Sequence, residues 1–242
     1  MRQAPTYLVI GSGRMARHFS NYLKLLNLSF KQWSRSKNSF EQLKEFSQNC
    51  SHVLLLISDS AIEEFVETHS WLAKKRLVHC SGSLVLKNIF GAHPLMSFGS
   101  QLYDLDTYKN ITFILEDGSP SLANLFPGLP NKSFKIPTKL KPFYHSLCVM
   151  SGNFTCLLWQ KFFKELQETF NLPKEVAHLY LEQITKNLKF QSKDALTGPF
   201  SRNDKKTIAA NLKALEDDPY QEVYQAFIKL LSSNNEVVYE NS

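Results

Sequence analysis

Residues 7–16, which read YLVIGSGRMA, decide the fold of this 242-residue chain. The stretch runs from apolar residues into Gly-x-Gly-x-x-Ala, and a helical pattern follows it. Gly11 permits the tight turn, Gly13 lets the backbone approach a pyrophosphate, and Ala16 keeps the helix close to the strand. The N-terminus of that helix offers unpaired N–H groups and a partial positive charge to phosphates. The stretch therefore predicts the strand, turn and helix that open a dinucleotide-binding fold; a merely structural glycine turn is the alternative.

The composition is typical of a globular protein. Hydrophobic residues make up 43% of the chain and charged residues 21%, and no apolar stretch approaches the roughly 20 residues that span a bilayer. The N-terminus lacks the pattern of an export signal. The four cysteines show neither Cys-x-x-Cys spacing nor histidine partners. We therefore expect a cytoplasmic protein with reduced thiols, no metal site and no membrane partner.

The charge balance points to a small anionic ligand. The formal net charge is +6, but the lysines are scattered and do not cluster with aromatic residues, as they do in many nucleic-acid-binding proteins. A surplus of positive charge suits an anionic cofactor or substrate. We expect a small-molecule ligand and no nucleic-acid partner.

The first part of the chain alternates predicted strands and helices. Strands are predicted at residues 6–10, 29–33, 52–57, 76–79, 91–96, 111–115 and 134–136, and helices at 14–26 and 40–50. Ser60 and Glu63 have the spacing of a capping box that opens a further helix. Repeated strand–helix–strand units imply parallel strands joined by right-handed crossovers.

The later part of the chain is predicted to be helical. Helices are expected at 140–170, 174–190 and 204–215, and from Asp218 onward. Pro142 falls in the first turn of the long helix, where proline is tolerated. The predicted fold class is α/β: a Rossmann-like domain with a mostly parallel sheet at residues 1–139, followed by an all-α C-terminal domain at 140–242.

The end of the second strand indicates which dinucleotide is bound. NAD-binding folds place Asp or Glu there to hold the ribose hydroxyls, whereas this chain has Trp33-Ser34-Arg35-Ser36 and no carboxylate. Arg35 can clamp a 2′-phosphate, and Ser34 and Ser36 can donate hydrogen bonds. The predicted cofactor is therefore NADP(H); an arginine that merely lies in an exposed loop is the alternative.

Polar residues follow three other predicted strands, where ligands of such folds bind. Ile57 and Ser58 end the third strand, and Asp59 either faces the cofactor or caps the next helix. Ser81, after the fourth strand, is expected to line the nicotinamide side; a polar turn is an equal alternative. His93 is held extended by the following proline. It is expected to face the substrate as an acid or binder, with packing between domains as the alternative.

The helical part adds further candidates. His145 and Asn153 are eight residues apart on one predicted helix, about 80° from each other at 3.6 residues per turn, so both could border one cleft. Gly152 costs about 1 kcal/mol relative to alanine there, which close approach of a ligand or a neighbouring element would justify. In a later loop, Arg202 could bind an anionic substrate group, and Asp204 either orients it or caps the next helix.

Several of these short motifs, taken in order, resemble one group of bacterial proteins. They are His79-Cys80-Ser81-Gly82, His93-Pro94-Leu95, Tyr144-His145, Ser151-Gly152-Asn153, and Leu196-Thr197-Gly198-Pro199 followed by Arg202 and Asp204. The same order occurs in a group of bacterial Rossmann-like proteins that are predicted to be oxidoreductases. These proteins carry a C-terminal domain of unknown function. That group is similar in architecture to 6-phosphogluconate dehydrogenase and pyrroline-5-carboxylate reductase. The resemblance covers nearly the whole chain.

The resemblance implies NADP binding, a cleft between the two domains, and homodimers formed through the helical domain; it implies no particular substrate. Related β-hydroxyacid dehydrogenases have a lysine four residues before an asparagine on the corresponding helix, whereas Val149 stands four residues before Asn153 here. Proton transfer is therefore expected from His145 or His93, because a histidine can give and accept protons near neutral pH.

These observations predict an NADP(H)-dependent oxidoreductase that transfers hydride to or from a small anionic substrate bound partly by Arg202. The alternatives are a non-catalytic NADP-binding or sensing protein, and an interaction module that has lost its cofactor. The predicted catalytic residues are His145, Asn153 and His93. The predicted cofactor contacts are Gly11, Ser12, Gly13, Arg14, Met15, Ser34, Arg35, Ser36, Ile57, Ser58 and Ser81.

Overall fold

The computed structural model describes residues 6–239, and the side chains of residues 6–232. The chain divides into two compact units, the first ending at Leu158 and the second beginning at Trp159. The first unit contains a seven-stranded sheet, and the described part of the second consists of helices and turns. The predicted fold class, a mostly parallel sheet followed by a helical region, is confirmed.

The sheet contains all the predicted strands, with small differences at their ends. The strands are β1 (Thr6–Ile10), β2 (Ser29–Trp33), β3 (His52–Leu55), β4 (Arg76–His79), β5 (Phe90–Pro94), β6 (Phe113–Glu116) and β7 (Ser133–Ile136). Their spatial order is β2-β1-β3-β4-β5-β6-β7. Neighbouring strands are parallel, except that β5 and β6 are antiparallel. The carboxyl ends of β1 to β5 therefore share one edge of the sheet.

The described helices differ in length and in type. They are α1 (Arg14–Leu25), α2 (Phe40–Gln48), α3 (Ile62–Thr68), α4 (Leu105–Asn110), α5 (Leu122–Leu125), α6 (Lys141–Cys148), α7 (Thr155–Glu168), α8 (His178–Phe190), α9 (Gly198–Ser201), α10 (Lys205–Ala214) and α11 (Tyr220–Tyr239). Short 3-10 segments occupy Asp59–Ala61, Ser70–Lys74, Thr138–Leu140 and Lys174–Ala177. In the described range, no helix is both long and apolar enough to cross a membrane.

The centre of the sheet is covered on both faces. Tyr7 and Val9 of β1 pack into one buried cluster together with α1, while Leu8 and Ile10 pack into a second cluster with α2 and α3. Successive residues of a strand point to opposite faces. The continuous apolar run in β1 is therefore what a strand between two helical layers requires.

Gly11 is required by its backbone conformation and its surroundings. Its φ is +129°, and a Cβ at this position would lie 2.2 Å from the carbonyl oxygen of Leu56. The Gly11 N–H donates to the carbonyl of Trp33 at 2.9 Å, and the Gln32 side chain donates to the Gly11 carbonyl at 2.8 Å. The turn after β1 is therefore fixed between the ends of β2 and β3.

The predicted capping box at Ser60 and Glu63 is wrong. A 3-10 segment, Asp59–Ala61, comes first, and α3 begins only at Ile62, with Ala61 at its N-cap and no side-chain cap. Asp59 does not cap a helix; its carboxylate accepts a hydrogen bond from the Ser81 hydroxyl. The Asp59 side chain therefore makes a tertiary contact with Ser81 instead of the local helix cap that its position in the sequence suggested.

The predicted long helix at 140–170 is interrupted. A π-helical segment, Val149–Phe154, separates α6 from α7, so the 3.6-residue period that placed His145 and Asn153 about 80° apart does not hold across it. The predicted domain boundary at residue 139 stays a prediction; the first compact unit extends to Leu158, and within it side chains of α6 bond to the sheet. Lys141 contacts Glu116 of β6.

The second unit has its own polar and aromatic contacts. Lys161 of α7 forms ion pairs with Glu165, at 2.8 Å, and with Asp218. The Trp159 ring lies 5.8 Å from that of Tyr180 on α8. Asp204 caps α10 by accepting from the Thr207 N–H at 3.0 Å, which confirms the capping interpretation of that residue.

Replacing Gly11 with alanine is expected to lower the free energy of unfolding by about 2–4 kcal/mol. The positive φ contributes about 1–3 kcal/mol of strain, and the contact with the Leu56 carbonyl adds overpacking. Urea unfolding of Gly11→Ala against wild type measures the loss. Gly118→Ala is the matched control, because a Cβ at Gly118 meets nothing within 4 Å. Equal stability of the two variants would contradict the role given to Gly11.

Candidate functional site

A cleft of about 670 Å³ lies at the carboxyl ends of β1, β2 and β3. Every residue predicted to contact the cofactor lines this cleft, except Ser81. The remaining lining residues are Trp33, Phe40, Leu56, Ala61, Glu64, Phe65, Thr68 and His69. The structure thus brings together the glycine turn, the Ser34–Ser36 loop and the end of β3, which are far apart in sequence.

The glycine-turn end of the cleft can accept an anion. Gly13 is the N-cap residue of α1, and the first turn of this helix contains no acidic residue. A Cβ at Gly13 would meet nothing within 4 Å, so the space beside the backbone is open. The first N–H groups of a helix have no partners within it. These features fit a pyrophosphate at the start of α1.

The loop after β2 presents a cation and hydroxyl groups. The Ser34 hydroxyl lies 3.4 Å from that of Ser36, and the Ser34 N–H donates to Asn38 at 3.1 Å. Arg35 is exposed and forms no ion pair with any residue in the described range. Its guanidinium is therefore available to an anionic ligand.

An aromatic wall, which the sequence did not predict, flanks this loop. The Phe40 ring stacks at 5.3 Å on His69, and His69 stacks at 4.4 Å on Phe65. The Trp33 ring lies 5.7 Å from both Phe40 and Phe65. Phe40 is 57% exposed although it is large and apolar, so one face is free to pack against a flat ligand group.

A second group of candidate residues meets near β4 and β5. His93 of β5 has its Nδ1 atom 2.8 Å from the Tyr144 hydroxyl, and its ring centroid is 5.7 Å from that of His145. Tyr144 and His145 both belong to α6. We call these three residues the histidine cluster. The structure therefore brings together the two histidines predicted as proton donors.

The loop after β4 forms the adjoining wall. A Cβ at Gly82 would lie 2.2 Å from Cδ2 of His145, so a glycine is needed for the ring to approach the backbone. The Ser81 hydroxyl donates to Asp59 and accepts from the N–H of Leu84 at 3.0 Å. Ser81 therefore lies beside the histidine cluster rather than in the cleft at the glycine turn.

Charged and polar side chains are buried beneath the histidine cluster. Lys141 Nζ donates to Glu116 at 2.5 Å and to the Leu84 carbonyl at 2.5 Å. His79 is fully buried; its Nδ1 accepts from the Ser81 N–H at 3.2 Å. The other ring nitrogen of His79 has no hydrogen-bond partner among the described residues.

The surroundings of His79, which is buried, and of His93, which is half-buried, favour the uncharged forms of both rings. Burial lowers the pKa of His93 to about 4, and the charges of His145 and Lys141 act in the same direction, whereas Asp59 opposes them. Burial and the charge of Lys141 lower the pKa of His79 to about 3. Burial also raises the pKa of Tyr144, so the tyrosine stays protonated beside Nδ1 of His93.

Two further predicted site residues are exposed. Asn153 is exposed in the π-helical segment, and no described hydrogen bond joins it to either histidine. Arg202 is an exposed residue of the second unit, at the end of α9. Their roles in catalysis and in substrate binding stay predictions.

Sequence reasoning missed three residues that shape this site: Tyr144 as the partner of His93, Lys141, and Glu116. Lys141, Tyr144 and His145 occupy positions i, i+3 and i+4, which share one helix face. This spacing could have indicated that Lys141 and Tyr144 belong to the same site as His145. No sequence signal pointed to Glu116, because its importance comes from an ion pair with Lys141, a residue distant in sequence.

The fold and the cleft define the class: a Rossmann-like α/β unit with a glycine turn and a helical second unit. Residues 111–230 match the model of a domain of unknown function, DUF2520, which confirms the predicted C-terminal domain of unknown function. No curated protein matches the chain by sequence.

Several solved structures are similar over nearly the whole chain. A candidate NADP oxidoreductase from Bacteroides fragilis has 22% sequence identity and a TM-score of 0.74, covering 94% of this chain and 98% of that one. A protein from Thermotoga maritima has 24% identity and a TM-score of 0.67, covering 96% and 99%. Plasmodium falciparum pyrroline carboxylate reductase, with NADP bound, has 12% identity and a TM-score of 0.59, covering 96% and 98%. At these identities the similarity establishes the fold.

The depressed pKa of His93 is expected to make the protein less stable in acid. The unfolded histidine binds a proton as pH falls below about 6.5, whereas the folded one does so only near pH 4. Stability should therefore be lost progressively between these values, by about 2–3 kcal/mol from His93 alone at pH 4.5. Urea unfolding at pH 7 and pH 4.5 measures this loss in wild type.

His93→Gln should show a smaller difference in stability between the two pH values. His178→Gln is the control because His178 is exposed and belongs to the second unit. If His93→Gln and His178→Gln lose the same free energy on acidification as wild type, His93 is not held uncharged by the fold.

Proposed function

We propose that this protein is an NADP(H)-dependent oxidoreductase acting on a small molecule. The observation that carries the proposal is the cleft of about 670 Å³ at the ends of β1–β3. It joins a glycine turn open to an anion with the Ser34-Arg35-Ser36 loop. The NADP bound to Plasmodium falciparum pyrroline carboxylate reductase, which has the same fold, supports this assignment.

The cleft suits each part of the dinucleotide. The pyrophosphate would lie against Gly13 and the first N–H groups of α1. The 2′-phosphate would be held by Arg35, with Ser34 and Ser36 donating hydrogen bonds. The exposed face of Phe40, backed by His69, offers a flat apolar surface for the adenine ring. No carboxylate follows β2, which removes the repulsion that a 2′-phosphate would meet in an NAD-binding fold.

The reaction is proposed to take place beside the histidine cluster. When bound, NADPH supplies a hydride to the carbon of a C=O or C=N bond. His145 would donate the proton that the heteroatom requires, and His93, uncharged and held by Tyr144, would orient the substrate by hydrogen bonding. Ser81 and Asn153 are proposed to position the reacting groups, and Arg202 to bind an anionic end of the substrate.

Replacing Arg35 with alanine is expected to reduce the preference for NADPH over NADH roughly 10- to 100-fold. A charge-assisted hydrogen bond contributes about 1.5–3 kcal/mol, and each 1.4 kcal/mol is a factor of ten in affinity. Fluorescence titration of both cofactors against Arg35→Ala and wild type gives the ratio. Lys37→Ala is the matched control, since Lys37 is a nearby exposed cation that does not line the cleft. An unchanged ratio in Arg35→Ala would remove the assignment of the 2′-phosphate site.

Turnover distinguishes an enzyme from a non-catalytic NADP-binding protein. NADPH absorbance is followed with a panel of keto acids, imines and lactones. Its consumption with one class supports the oxidoreductase, whereas tight NADPH binding without consumption favours the sensor. Failure of saturating NADPH to raise the melting temperature would indicate that the cleft binds no cofactor.

We also propose that the helical unit forms a homodimer. Helix α8 exposes large apolar side chains, including Leu179 at 74% and Phe190 at 77% exposure. Contiguous exposed apolar surface is typical of a protein–protein interface.

Light scattering is expected to give twice the 27.8 kDa chain mass, and Leu179→Lys is expected to shift the protein toward the monomer. Lys186→Ala, an exposed change on the same helix, serves as the control. A monomeric wild type at micromolar concentration would contradict the proposal.

A further inference from the structure

We propose that Lys141 is a positioning residue for the histidine cluster: its buried ammonium fixes the face of α6 that carries Tyr144 and His145, and places a positive charge beside His93. The catalytic importance of this arrangement rests on the proposed function, but the arrangement itself does not. None of the sequence motifs assigned any role to Lys141.

The Lys141 side chain ties three distant segments together. Its Nζ atom lies 2.5 Å from Oε1 of Glu116 on β6 and 2.5 Å from the carbonyl of Leu84, in the loop after β4. The Lys141 and Glu116 side chains are only 3% and 10% exposed. Because Lys141 is the first residue of α6, these bonds attach the start of that helix to the sheet.

Strand β5 leaves room for this ion pair. A Cβ at Gly91 would lie 2.1 Å from Lys141 Nζ and 2.5 Å from Oε1 of Glu116. Gly91 pairs directly with His79 on β4, and His93 follows two residues later on the same strand. The glycine therefore brings the ammonium group close to the part of the sheet that holds His79 and His93.

Because they belong to the same helix, the position of Lys141 determines where Tyr144 and His145 lie. Residues i, i+3 and i+4 of a helix share one face, so Lys141, Tyr144 and His145 point the same way. Tyr144 reaches His93 at 2.8 Å, and the His145 ring packs against Gly82. Holding Lys141 in place therefore sets the rotation of α6 and, with it, both contacts.

The charge of Lys141 has an electrostatic effect on His93 that packing alone would not produce. An apolar pair of similar volume often stabilises a fold as well as a buried ion pair does. The charged groups that face His93 are Lys141 and His145 from α6 and Asp59 from the segment after β3; Tyr144 faces it as a hydrogen-bond partner. The ammonium opposes a positive charge on His93, so this ring stays uncharged beside the Tyr144 hydroxyl.

The test compares histidine titrations in the full chain. ¹⁵N-histidine NMR follows His93 in wild type and in the double variant Lys141→Met/Glu116→Gln, which removes both charges and keeps side chains of similar length. The titration midpoint of His93 is expected to rise in the double variant, because Lys141 acts on the pKa of His93 and Glu116 is not among the groups that do. The rise should be about half a pH unit, less than for loss of a lone like charge, because the loss of the Glu116 charge acts in the opposite direction. Lys139→Met, an exposed lysine two residues earlier, is the matched control and should leave the midpoint unchanged.

Two further measurements guard against loss of folding. Gly91→Ala displaces the ammonium without removing a charge, and is expected to shift the NMR signals of His93 and His145 together. In wild type, the buried Lys141 ammonium should give a slowly exchanging ¹⁵N signal, which is assigned by its loss in Lys141→Met. A folded double variant with an unchanged His93 midpoint, or a wild type without the protected ammonium signal, would overturn the proposal.

NADPH titration of the same samples separates this inference from the proposed function. Lys141 does not line the cleft at the glycine turn, so the double variant is expected to bind NADPH within about twofold of wild type. If wild type itself binds no NADPH, the proposed function fails while the histidine titration still decides the role of Lys141.

Discussion

The close approach of Gly11 to the carbonyl of Leu56 is the constraint on which the cleft depends. No side chain fits between them, since a Cβ would lie 2.2 Å from that oxygen. The turn can therefore lie against the end of β3 while the Gln32 side chain ties it to β2. As a result, the start of α1, the Ser34–Ser36 loop and the Ile57–Ser58 segment border one space. The proposed cofactor site follows from this backbone contact.

The histidine cluster depends on a different kind of constraint. Gly82, in the loop after β4, and Gly91, on β5, leave the space that the His145 ring and the Lys141 ammonium of α6 occupy. Burial also favours the neutral form of His93. The cleft is lined by backbone groups and an exposed arginine, whereas the cluster consists of half-buried side chains close to a buried ion pair.

Local patterns predicted the sheet well because each strand has its own apolar run. Prediction failed where a tertiary contact competed with local spacing. Ser60 and Glu63 have capping-box spacing, yet α3 starts after a 3-10 turn and Asp59 bonds to Ser81. The π-helical segment at Val149–Phe154 likewise changed the angular relation between His145 and Asn153. A helical period of 3.6 residues can be read from sequence, but an interruption of it cannot.

The sequence by itself determined the order of the strands, the glycine turn, and ten of the residues that line the cleft at that turn, because these are encoded in contiguous patterns of apolar, glycine and charged residues. The tertiary structure alone decided that His93, Tyr144 and His145 meet, that Phe40 stands beside His69, and that Lys141 pairs with Glu116. These contacts join residues tens of positions apart. Strand pairing and the rotation of the helices determine these contacts, and neither can be inferred from the spacing of residues within one segment.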